Sequence, residues 1–184
     1  MSVIHEGNLR LRAVERADVE SFHRWVNDPE VTRGLALYLP MSMPEEERWF
    51  DRLQERDPRE RPLAMDLRDG ESWRLIGNCG LFDLDWVCRS AELGIMIGEK
   101  AVWNRGLGTR AMVMLLRHCF QTLNLNRACL RVYADNRRAR RAYVKAGFVE
   151  EGCMRQAVFK DGRFEDVYLM SVLRSEWDAR KVEG

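Results

Sequence analysis

The sequence predicts a single α/β domain over residues 1–184, a mixed and mainly antiparallel sheet flanked by helices in the order β-α-α-β-β-β-α-β-α-β-β. Three features predict it. Short apolar runs are bounded by Asp-Gly pairs at Asp69-Gly70 and Asp161-Gly162, the mark of hairpin turns. Met112, Leu115, Leu116, Cys119, Phe120 and Leu123 recur at the spacing of a helix packed on a sheet. Between that helix and the apolar, β-branched strand at 91–97 lies a turn with two glycines, Gly106 and Gly108.

In chain order, residues 9–11 alternate with charged neighbours and form a first short strand. Residues 17–26 put Val19, Phe22 and Val26 on one helical face, with His23 on the same side, and Asn27-Asp28-Pro29 stops the helix. Residues 31–43 read as an irregular segment able to line a substrate pocket or simply to pack. Ser42-Met43-Pro44-Glu45 has the form of a capping box and opens a second helix carrying Trp49, Phe50 and Leu53, which dissolves into the charged run 54–61. Strands at 62–67 and 73–84 make a hairpin, and Gly77 and Gly80 in the second mark a bulge or a close approach to the backbone. After the long helix come a strand at 128–132 and a short helix at 137–146 ended by Gly147. Strands at 148–160 and 167–173 complete the order.

Composition excludes several classes. Thirty basic against twenty-nine acidic residues leave a net charge of +1, with no overall bias toward nucleic acid or anionic membranes. No apolar run has the length of a signal peptide or of a spanning helix. The five cysteines are scattered without zinc spacing and read as reduced core thiols of a cytoplasmic protein, with no metal site.

The glycine turn carries the functional signal. Glycines at a strand-to-helix turn let a ligand approach the backbone, and the N–H groups that open the helix favour an anion such as pyrophosphate. Gly106-Leu107-Gly108-Thr109-Arg110-Ala111 also fits the G-x-G-x-x-A form of a dinucleotide site. A meander before it and room for only one clear βα unit after it argue against a nicotinamide fold.

Trp103-Asn104-Arg105-Gly106-Leu107-Gly108 resembles the pyrophosphate motif Q/R-x-x-G-x-G/A of the GNAT N-acetyltransferases, with Trp103 where Gln or Arg is usual. That tryptophan points to the subgroup resembling the ribosomal-protein N-terminal acetyltransferases. Asn136-Arg137-Arg138-Ala139-Arg140-Arg141-Ala142-Tyr143-Val144-Lys145-Ala146-Gly147-Phe148 resembles the family's second segment, N-x-x-A/S-x-x-x-Y/L-x-K-x-G-F. The resemblance implies that acetyl-CoA lies where the strands at 91–97 and 128–132 splay apart. Backbone amides of Arg105, Gly106, Leu107, Gly108, Thr109 and Arg110 would hold the pyrophosphate, and Ile95, Met96 and Ile97 would pair with the pantetheine arm. Asn136 would bond the arm or cap the helix at 137, or do both. Tyr143 stands at the family's general-acid position, and Glu92 is a candidate base or an exposed strand carboxylate. The implied reaction is acetyl transfer to a primary amine by direct attack, the acceptor being a protein N-terminus or a small molecule such as a polyamine, amino sugar or antibiotic. A non-catalytic CoA-binding module is the remaining alternative. No membrane or nucleic-acid partner is expected, and a homodimer is compatible with the resemblance.

Overall fold

The structure, a computed structural model, describes residues 3–180. The chain divides into two compact units, one running to Leu81 and including Ile95–Leu107, the other formed by Phe82–Gly94 and the chain from Gly108.

The first unit opens with the antiparallel pair β1 (Ile4–Glu6) and β2 (Leu9–Ala13). A 3-10 turn then leads into α1 (Val19–Val26). Asn27 ends α1 as the sequence predicts, but Pro29 starts a further short helix, α2 (Pro29–Thr32). Proline is at home in a first helical turn, and the Asp28 carboxylate caps it by accepting from the Glu30 N–H at 2.9 Å. The predicted capping box forms at α3 (Met43–Arg52), where Ser42 N–H donates to Glu45 Oε2 at 2.7 Å. Strands β3 (Leu63–Asp69) and β4 (Ser72–Asp85) form the expected hairpin around Gly70, whose φ of +61° suits a residue without Cβ. β5 (Ser90–Ile97) begins in the second unit and ends in the first. A Cβ on Gly77 would lie 2.1 Å from the Met96 carbonyl oxygen, so the glycine marks a close backbone approach.

The second unit contains α4 (Leu107–Arg117), prolonged by a π-helical turn over His118–Thr122, then β6 (Arg127–Tyr133) and α5 (Arg137–Ala146). α5 ends at Gly147 with φ of +113°, the left-handed stop the sequence predicts. β7 (Val149–Lys160) and β8 (Arg163–Leu173) turn back on Asp161-Gly162, both at positive φ, and α6 (Arg174–Arg180) follows. Trp177 of α6 packs on Phe120 at 5.8 Å between ring centroids.

Hydrogen bonding orders the strands β1-β2-β3-β4-β5-β6-β8-β7. The pair β5–β6 is parallel, whereas the pairs β1–β2, β2–β3, β3–β4, β6–β8 and β7–β8 are antiparallel. This is the predicted mixed, mainly antiparallel sheet. Met112, Met114, Leu115, Leu116 and Cys119 are fully buried, so the helical stripe is wider than the sequence spacing alone marks.

On β6 the residues alternate. Ala128, Leu130 and Val132 are buried, while Arg127, Cys129 and Arg131 make a polar ladder on the other face. There Arg127 and Ser171 both engage Glu151, the serine hydroxyl donating at 2.7 Å, and they hold its carboxyl down at about 2. A folded-state value below the ordinary 4.5 means that this stabilisation is present above about pH 4.5 and is lost as pH falls toward 2. Because the side chain is 37% exposed, the contribution is under about 1 kcal/mol. Acid unfolding of E151Q should lack that part of the pH dependence, and an unchanged acid limb would contradict the assignment.

Candidate active site

The residues of the glycine motif sit where a phosphate could reach backbone. Asn104 and Gly106 have φ of +62° and +75°, so the chain reverses twice in the left-handed region before α4 begins. Nothing lies within 4 Å of the position a Gly106 Cβ would take, which leaves the turn open above its amides. The first N–H groups of α4 have no intrahelical acceptor and carry the positive end of the helix dipole. Arg105 is exposed on the turn, and Arg110 is half-buried in the first turns of α4.

The end of β5 has one paired and one unpaired edge. Gly98 N–H donates to Ile76 O at 3.0 Å, and the Met96 carbonyl is directed at Gly77, so these groups face β4. Strand alternation turns the N–H and C=O of Ile95 and Ile97 to the opposite edge. β5 pairs with β6 only over Ser90–Glu92, so that edge carries no ladder farther on among the described residues. The Ile97 carbonyl is nonetheless taken, by the Trp103 indole N–H at 2.8 Å. Met96 contributes packing instead, its side chain buried in a cluster with Phe22, Trp25 and Val31.

In the second unit, Thr109 Oγ1 donates to Ala142 O at 3.3 Å and ties the start of α4 to α5. Asn136 caps α5, its Oδ1 accepting from the Ala139 N–H at 3.1 Å, which leaves the amide NH2 for another acceptor. Tyr143 is buried on α5 with its ring 5.9 Å from that of Phe148. Burial alone pushes its phenol up to about 12, so the group is protonated throughout the neutral range. Glu92 is half-buried, and both of its oxygens accept from Arg131, from Nε at 3.0 Å and Nη2 at 2.9 Å. This bidentate pair raises the already high Arg131 value. Most of the basic run on α5 is solvated, although Arg140 stacks on Tyr168 at 3.9 Å and pairs with Glu150.

Sequence reasoning missed Arg131 and the partner of Trp103. The alternation of Arg127, Cys129 and Arg131 on a buried strand was the available sign that one face of β6 is polar. Trp103 stood out as a departure from the motif, but a hydrogen bond to a carbonyl six residues away leaves no trace in composition. Among the described residues, no group of three or more His, Cys, Asp or Glu could hold a metal ion, and no helix is long and apolar enough to cross a membrane.

A family model described as the acetyltransferase (GNAT) domain matches residues 8–149. The chain belongs to the GNAT acetyltransferases. The spermidine N(1)-acetyltransferase of Vibrio cholerae is 32% identical over 175 residues, covering 92% of this chain and 95% of that protein. The ribosomal-protein-serine acetyltransferase of Escherichia coli is 28% identical over 95 residues, 52% of each chain. A crystal structure of the Vibrio cholerae spermidine N-acetyltransferase, in complex with CoA and spermine, superposes with a TM-score of 0.85 at 29% identity, covering 94% of this chain and 99% of that one. This GNAT protein is therefore an N-acetyltransferase with acetyl-CoA as its co-substrate. The open glycine turn and the unladdered edge of β5 fit such a ligand, which needs amides for its pyrophosphate and strand-like partners for its amide-bearing arm.

Proposed function

We propose that this acetyltransferase moves acetyl from acetyl-CoA to a primary amine of a small aliphatic polyamine, by direct attack in a ternary complex. The observation that carries the choice of acceptor is the extent of the likeness: it runs along nearly the whole chain for the spermidine enzyme and along half for the ribosomal-protein enzyme. In this reading the amides from Arg105 to Arg110 hold the pyrophosphate, with Arg105 and Arg110 adding charge. Ile95 offers its N–H and C=O to the arm, Ile97 its N–H, and the Asn136 NH2 completes the set.

An amine with a pKa near 10 must lose a proton before or as it attacks, and the departing sulfur must be stabilised. Glu92, fixed in orientation by Arg131, takes the amine's proton through a water, using lone pairs the guanidinium leaves open. Tyr143 donates to the sulfur. Burial holds the phenol well above an alkyl thiol, so full transfer of its proton to a free thiolate would run uphill. The phenol therefore acts as a hydrogen-bond donor while the C–S bond breaks; of the two protons the ammonium loses, the first passes through Glu92 to solvent and the second, shed by the nitrogen of the tetrahedral adduct, ends on the thiolate.

A second reading, transfer to a protein N-terminus, is favoured by one feature. An open pocket of about 480 Å³ in the first unit is lined by Leu37, Tyr38, Met41 and Trp49, with Glu45, Arg48 and Arg52 beside them. A largely apolar site with two guanidinium groups against one carboxylate, which is already bonded to Ser42, suits a peptide better than a polycation. The test is a competition: spermidine and a peptide with a free N-terminal serine, mixed in equal amounts with acetyl-CoA, and the products weighed by mass spectrometry. Acetylspermidine should dominate at least about tenfold, a selectivity that one modest binding difference supplies. Acetylated peptide as the main product would overturn the polyamine reading in favour of the second.

A further inference from the structure

We propose that Trp103 is a positioning residue that sets the spacing of the strand end that takes the cofactor's arm from the turn that takes its phosphates. The inference rests on the acetyl-CoA reading but not on the choice of acceptor.

The loop from Gly98 to Trp103 joins these two parts, and it is closed at its base by the indole. Trp103 Nε1–H donates to the Ile97 carbonyl at 2.8 Å, linking the last residue of β5 to the residue that precedes the phosphate turn. Within the loop, Lys100–Val102 form a 3-10 turn, and the Trp103 N–H donates to Lys100 O at 3.1 Å. Two further contacts hold the loop from the side of the N-terminal helices. The Trp25 ring fills the space over Gly98, where a Cβ would fall 1.9 Å from the indole carbon Cδ2. Lys100 Nζ pairs with Asp28 at 2.8 Å and Glu30 at 3.0 Å. The ring of Trp103 packs against the cluster of Phe22, Trp25, Val31 and Met96.

An extended ligand gains its full affinity only if both ends are engaged at once, which requires their partners to stand at a fixed separation. Asn104 and Gly106, at φ of +62° and +75°, lie one and three residues after Trp103, so a shift at Trp103 passes directly into the phosphate turn. Gln and Arg, the usual residues of the motif at this position, share one property with tryptophan: a side-chain N–H.

Trp103→Phe keeps an aromatic ring in the cluster, smaller by the pyrrole part, and removes the N–H. CoA and adenosine 3′-phosphate 5′-diphosphate, which keeps the pyrophosphate and lacks the pantetheine arm, are titrated calorimetrically into both proteins. The variant should bind CoA about five- to tenfold more weakly while its affinity for adenosine 3′-phosphate 5′-diphosphate stays within about twofold, since one hydrogen bond is lost and only the longer ligand needs the spacing. Trp103→His, which restores a ring donor, should recover part of the CoA affinity. Undiminished CoA binding by the phenylalanine variant would overturn the proposal. So would an equal loss for both ligands, the mark of general disruption. Failure of the parent protein to bind CoA would instead overturn the acetyl-CoA reading itself, a result the same titration separates.

Discussion

Tyr143→Phe should lower kcat by about 100-fold, near 2.7 kcal/mol of transition-state stabilisation, while leaving the KM for acetyl-CoA within about twofold. The hydroxyl is the only group removed. The buried ring and its packing on Phe148 remain, so the thermal midpoint should hardly move. The pH dependence gives a second check on the role. Because burial holds the phenol at about 12, its donating form persists across the neutral range, and kcat should show no falling limb from this group below about pH 11. Steady-state kinetics of the variant and a pH profile of the parent test both statements. A variant within twofold of the parent in kcat would remove Tyr143 from the chemistry and leave it as a core aromatic.

The largest effect on stability is expected at Arg12. Its guanidinium forks across two buried carboxylates, donating to Asp18 at 2.7 and 2.8 Å and to Asp66 at 2.8 and 3.1 Å. Asp66 is 1% exposed and Asp18 5%. Arg10 also reaches Asp66, through Nε at 2.9 Å, so Asp66 keeps one partner if Arg12 is lost, but Asp18 keeps only the Glu15 N–H. Arg12→Ala leaves buried negative charge without its counter-ion and should cost about 3–5 kcal/mol, a fall in melting temperature on the order of 10 °C. Arg12→Lys should fall in between, because an ammonium cannot span two carboxylates in a plane. Denaturant unfolding measures the difference, and a loss under about 1 kcal/mol would show that the network is solvated enough to dispense with the arginine.

Much of this architecture is legible in the sequence where a local rule decides the outcome. The capping box at Ser42, the Asp-Gly turns at Gly70 and Gly162 and the stop at Gly147 all form as read, because each is settled by dihedral preference or by a bond within four residues. The short elements β1, α2 and α6 were not expected. Pro29 reads equally well as a helix stop and a helix start, and α6 is held by Arg174 to Phe120 O and Arg180 to Ala146 O and Gly147 O, partners far away in the chain. Asp66 illustrates the same limit: within an apolar strand it gives no sign that Arg10 and Arg12, the charged neighbours of the leucines on the first strand, fold over to neutralise it. In the candidate site, the glycine turn, Asn136 and Tyr143 are visible as motif positions. The Arg131 pairing of Glu92 and the closure of the loop by Trp103 depend on side-chain bonds made only after folding.

The most direct test of the account is the initial rate of CoA thiol release with acetyl-CoA and spermidine varied against each other. The account predicts release that depends on spermidine, one acetylated amine for each thiol, and reciprocal plots that intersect, as direct attack in a ternary complex requires. Parallel plots would contradict direct attack by revealing an acetylated enzyme, and release independent of spermidine would contradict the polyamine acceptor.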